Sequence, residues 1–147
     1  MFNPVEDGVT HINIYSRGKT PLGRWLSNFA ESPFTHPVHG NFMSVEGFWY
    51  WLGTRNEALR NLYGFEAKKI GRNSPTIIQL DEQVFKEEIA IACWAKLWSN
   101  YGKVFILAGS VLPFEHYYVF GKTVKDAGFK WLLGMWEQFR IESRKHI

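Results

Sequence analysis

Three stretches set polar, chemically competent side chains among aromatic and aliphatic ones. They are Arg24-Trp25-Leu26-Ser27-Asn28-Phe29, Ser44-Val45-Glu46-Gly47-Phe48-Trp49-Tyr50 and Glu66-Ala67-Lys68-Lys69-Ile70-Gly71-Arg72. A core wants apolar residues alone, whereas a ligand pocket joins an apolar wall to a few polar groups that fix orientation. The carboxyl of Glu46 can move a proton. Lys68 and Arg72, at i and i+4 on one helix face, can clamp a pyrophosphate or place an amine beside a reacting sugar. Asn28 offers donors and an acceptor together, which suits ribose hydroxyls or a base edge. The expectation is a site for a nucleotide-sugar-like ligand centred on Glu46. The ordinary alternatives are a solvated basic face for the cations and a surface helix-start charge for Glu46.

Those side chains need elements to hold them. Ser44 is a good N-cap for a helix from Val45 to about Gly53, with Glu46 in its first turn. The helix dipole there lowers a carboxyl pKa, whereas burial beneath Phe48, Trp49 and Tyr50 raises it, and the sequence leaves that contest open. Asn56 or Thr54 begins a second helical stretch through Leu62, and a third short helix covers Phe65 to about Ile70. Upstream, Val9 to Tyr15 reads as a strand. Ser16 to Gly23 reads as a loop, whose Arg17 and Lys19 can approach a phosphate. Ser32 to Phe42 reads as a hairpin turning near His39-Gly40-Asn41. His36 and His39 are expected at its surface or rim, because no Cys/His cluster accompanies them and a metal site is not expected.

Downstream, Asp81 caps a long helix through Trp98 that buries Phe85, Ile89, Ala92, Cys93 and Leu97. Val104 to Ala108 does not separate helix from strand. Val111 to Phe120 reads as extended and Gly121 to Gly128 as a polar loop. Trp131 to about Ser143 reads as a helix with Leu132, Met135, Trp136 and Phe139 facing the core.

The bulk properties narrow the class. A chain of 147 residues with one cysteine is expected to be a single domain, 1–147, in a reducing, cytoplasmic setting. No apolar run reaches membrane length and no basic-then-apolar leader opens the chain, so no membrane partner is expected. A net charge of +3, with mixed signs, argues against a protein that coats nucleic acid. Twelve Phe, seven Trp and six Tyr exceed what a small core requires, so some rings are expected to line a cavity. Walker and dinucleotide Gly-x-Gly-x-x-Gly motifs are missing, which removes those phosphate-binding classes.

In order and spacing, Leu26-Ser27-Asn28-Phe29 with Ser32-Pro33-Phe34, then Ser44-Val45-Glu46, then Glu66-Ala67-Lys68 with Ile70-Gly71-Arg72, and more weakly Ala95-Lys96-Leu97, resemble the NADAR or YbiA-like family of small nucleoside-glycoside hydrolases. The resemblance implies an α+β fold, a single mainly helical domain with short strands and a hairpin near the N-terminus. It also implies cleavage of an N-glycosidic bond without a cofactor. The implied substrates are ADP-ribose linked to guanine in DNA, RNA or nucleotides, or phosphoribosyl-aminopyrimidines of riboflavin synthesis. A non-catalytic reader of ADP-ribose or a modified nucleotide is the alternative.

Carried over, the family's glutamate falls on Glu46 and its lysine on Lys68, with Asn28 and Arg72 at flanking motif positions. Arg72 would hold phosphate, with Arg17 or Lys19 assisting, and Trp25 and Trp49 would enclose the sugar or base. Lys68 would act electrostatically or as an amine that forms a Schiff base. The last third departs from the family's Asp-x-x-Trp-Gly and Gly-x-Asn-x-Leu-Gly strings. Tyr117 aligns with the Asp and Trp131 with the Asn, and Glu115 or Asp126 is the available substitute carboxylate.

Overall fold

The structure, a computed structural model, describes residues 2–147. In chain order its elements are β1 (Ile12–Asn13), α1 (Pro21–Leu26), β2 (Phe34–His36), β3 (Gly40–Phe42), α2 (Val45–Thr54), α3 (Gly64–Asn73), α4 (Glu82–Trp98), α5 (Tyr101–Gly109), β4 (Phe114–Glu115), β5 (Tyr117–Phe120), β6 (Thr123–Asp126) and α6 (Lys130–Arg144). Short 3-10 turns cover Pro4–Glu6 and Glu57–Asn61. The strands pair two by two, β1 parallel to β4, β2 antiparallel to β3 and β5 antiparallel to β6. This is the expected α+β class. No helix is long and apolar enough to cross a membrane among the described residues. The chain divides into two compact units, Asn28–Tyr101 and the two segments that flank it.

In the central unit, the β2–β3 hairpin lays Phe34 and Phe42 against α2. Phe42 meets Phe48 edge-on at 5.0 Å and Trp51 at 5.3 Å, a geometry that aromatic quadrupoles favour. Ser44 caps α2 as its sequence predicts, its Oγ accepting from Gly47 N at 3.0 Å and donating to Leu62 O at 2.8 Å. Asp81 caps α4 through Gln83 N and Val84 N. From α4 this core takes Ile89, Ala92, Cys93 and Leu97. Burial pushes the Cys93 thiol up to about 12, so it packs and does not react. Lys96, on the same helix, is fully buried.

The expectation that His36 lies at the surface is wrong: it is 1 % exposed and stacks on Phe48 at 5.0 Å. Burial is tolerable because its Nδ1 accepts the Val38 and His39 N–H groups at 3.0 and 3.1 Å.

The flanking unit differs from expectation in three places and decides one that the sequence left open. The Val9 to Tyr15 strand shrinks to Ile12–Asn13, because Val9 N and Thr10 N turn back to Glu6 O and leave the ladder. The Ser16 to Gly23 loop ends at Thr20, which caps α1 through Gly23 N while Pro21 supplies a preset helical φ and needs no N–H partner. Val104 to Ala108 is helical. The Gly121 to Gly128 loop is largely the return strand β6, reached through a two-residue turn whose first residue, Gly121, has φ 59°. In α6, Leu132 and Trp136 face inward as expected, joined by Arg140, which donates to Ser110 Oγ and Leu112 O.

Candidate active site around Glu46

Two glycines press the first turn of α2 and its neighbour α3 into place. A Cβ on Gly47 would lie 2.4 Å from Leu59 O, so only glycine lets the 57–61 turn approach so closely. A Cβ on Gly71 would lie 2.2 Å from Tyr50 Cγ, so α3 rests directly on the Tyr50 ring. On α3 the buried face is Ala67 and Gly71, one turn apart. Lys68 and Arg72 each follow one residue later and therefore share the rim of that face, Lys68 half-buried and Arg72 exposed.

Glu46 is 9 % exposed at the first turn of α2, and its backbone N–H, otherwise unpaired at a helix start, donates to Asn28 O at 3.0 Å. Burial raises its carboxyl to about 7 against the opposing pull of Lys68 and then Arg72. The contest left open by the sequence thus goes to burial. Neither cation is locked to Glu46 in an ion pair among the described residues. The Lys68 ammonium lies 5.9 Å from the Phe29 ring centroid, within reach of its negative face. The arrangement is a buried carboxyl raised to about 7, with two positive charges on the neighbouring helix pulling against that rise.

Glu46, Lys68, Arg72, Asn28 and Trp49 all belong to the central unit. Asn28 is half-buried and is tied to Glu46 through its carbonyl. Trp49 is half-buried, edge-on to Phe85 at 4.8 Å. Trp25 and Arg17 belong to the flanking unit. There Trp25 is buried beside Trp136, and Arg17 is exposed. The backbone of the loop that carries Arg17 is already tied to an acid: Lys19 N donates to Asp7 Oδ2 at 2.8 Å.

Tyr117 is fully buried, 2.6 Å from His11 Nε2, and its main chain exchanges two hydrogen bonds with the Asn13 side chain. It therefore holds its own unit together. Glu115 is half-buried beside it, while Asp126 is exposed and 3.8 Å from Lys130 Nζ. Phe29 and Gly47 are given no role by the sequence alone. The Ser-Asn-Phe string signals the first, and the glycine directly after the helix-start acid signals the second.

No protein-family model and no curated protein matches the chain. Among solved structures it is similar to the NMR structure of the E. coli protein YbiA, at 17 % identity, covering 99 % of this chain and 95 % of that one with a TM-score of 0.69. The chain has a YbiA-like α+β fold.

Proposed function

We propose that the protein is an N-glycosidase that hydrolyses a ribosyl C–N bond, with ADP-ribose joined to guanine in nucleic acid or nucleotides as its substrate. The observation that carries this reading is Glu46, a carboxyl that burial pushes up to about 7 against the pull of Lys68 and Arg72 on α3. The YbiA-like fold and the resemblance of the three motif stretches to the NADAR family support it. In its neutral form Glu46 gives its proton to the departing base nitrogen as the C–N bond breaks, and the bonding pair leaves with the base. Water then adds to the cationic anomeric carbon and returns a proton to the Glu46 carboxylate, so the enzyme is restored. A group with a pKa close to neutrality serves both steps.

Arg72 holds phosphate, and Trp49 borders the sugar or base. Lys68 acts as a charge, its ammonium 5.9 Å from the Phe29 ring centroid. A cytoplasmic protein of this kind needs no bound cofactor for the reaction.

A second reading, a reader that binds the same ligand without cleaving it, draws on Tyr117, which stands where the family's aspartate is expected and is committed to His11. Binding and product release measured on one guanine-ADP-ribosylated oligonucleotide separate the two. Tight binding with release of ADP-ribose supports the glycosidase; tight binding without release, there and on phosphoribosyl-aminopyrimidines, supports the reader.

A further inference from the structure

Away from Glu46, the hairpin tip and α4 bring His36, His39 and Glu88 together, with ligand atoms all within 4.8 Å. His36 Nε2 lies 3.3 Å and His39 Nε2 3.0 Å from Glu88 Oε2. The spacing suits a small divalent cation, but the protons do not. His36 Nδ1 accepts two backbone N–H groups, from Val38 and His39, so a neutral ring carries its hydrogen on Nε2. A metal would need the lone pair of that same nitrogen, and a ligating histidine ordinarily donates its other N–H. Here the other nitrogen meets two donors.

The same geometry makes the ring intolerant of a second proton. Protonated His36 must carry hydrogen on Nδ1, facing the Val38 and His39 amides, and both hydrogen bonds are then lost. We propose that the hairpin tip, residues 37–39, is a latch that acid releases: neutral His36 ties the turn down through Nδ1, and protonation of the ring frees the Val38 and His39 amides from it.

The charged and titratable groups around the ring are Glu88 from α4, His39 from the tip itself and, on the 3-10 turn, Arg60, which donates to His39 O at 2.6 Å. Arg55 lies with Arg60 over the neighbouring Trp51 ring. Burial, the largest influence, holds the His36 pKa below its ordinary 6.5; Glu88 pulls it up and His39 pushes it further down. Because the folded pKa lies below the unfolded one, the stabilisation from the neutral ring is complete above 6.5 and is lost as pH falls below it. Glu88 Oε2 and His36 Nε2 are both buried without an aligned hydrogen bond, so their contact does little to retain the tip. The released tip would lift the His39 ring from those it packs on, Trp51 at 5.0 Å and Phe48 at 6.1 Å.

The test is NMR on the whole chain from about pH 8 to about pH 5, reading the His36 ring nitrogens and hydrogen exchange at the Val38 and His39 amides. The latch predicts a proton on Nε2 alone at neutral pH. It also predicts that protection of those two amides, corrected for intrinsic exchange, falls about tenfold or more as the ring titrates. In His36→Asn, the Oδ1 takes over the acceptor position without titrating, so protection persists in acid. A proton on Nδ1 at neutral pH, protection that does not change in the native chain, or an undiminished acid response in folded His36→Asn overturns the proposal. So does stoichiometric zinc that shifts both histidine rings, which would assign the cluster to a metal. If His36→Asn does not fold, the ring tautomer and amide protection of the native chain decide alone.

Discussion

Gly71 rests against the Tyr50 ring so closely that a Cβ would fall 2.2 Å from Cγ and 2.5 Å from Tyr50 Cβ. These are the atoms nearest the backbone of Tyr50, so the ring cannot swing away as a flexible side-chain end would. The contact sets the distance between α2, which carries Glu46, and α3, which carries Lys68 and Arg72.

Gly71→Ala is therefore expected to destabilise the chain by about 1–3 kcal/mol, because overpacking forces the backbone to shift. A denaturant titration measures it. An unchanged midpoint would mean that the two helices are not in contact here.

Glu46→Gln is expected to stabilise the protein above neutral pH. The carboxyl is raised from 4.5 to about 7 chiefly by burial, so its unfavourable ionisation weakens the fold progressively between those values. Below 4.5 the acid is neutral in both states and the substitution gains nothing. Above 7 the gain approaches roughly 3 kcal/mol, at about 1.4 kcal/mol per pKa unit. Thermal melts of both proteins across this range should diverge as pH rises; parallel curves would contradict the burial of Glu46.

The elements differ in how far the sequence alone makes them legible. The hairpin, the caps at Ser44 and Asp81 and the pairing of Lys68 with Arg72 follow from local chemistry, in which turn residues, capping side chains and helical spacing act over a few residues. What escaped depends on distant partners. The Val9 to Tyr15 strand is short because its neighbours turn back to Glu6, and β6 exists because a polar stretch finds β5 as its partner. His36 reads as a polar rim residue until two backbone N–H groups satisfy its inner nitrogen. At Glu46 the helix start and burial act in opposite directions, and only the fold decides between them.

Lys68→Met is expected to move the Glu46 pKa further upward, since Lys68 is the larger of the two cationic influences that lower it. Arg72→Ala should act in the same direction and less strongly, its guanidinium being exposed to screening by solvent. NMR titration of the Glu46 side-chain carboxyl carbon reads both, and a downward move in either variant would contradict the arrangement.

Lys68→Arg keeps a charge but not a nucleophilic amine. The electrostatic role predicts retained turnover in this variant and no lysine adduct when the native enzyme is treated with borohydride during turnover. A trapped adduct at Lys68, with Lys68→Arg inactive, would assign the covalent route instead.

The most direct measurement is release of ADP-ribose from guanine-ADP-ribosylated DNA or RNA by the native chain and by Glu46→Gln, both verified as folded. The account predicts turnover by the native protein and a loss of about 100-fold or more in the variant, the scale of a general acid–base group. Undiminished turnover by Glu46→Gln, or no release by the native protein, would contradict it.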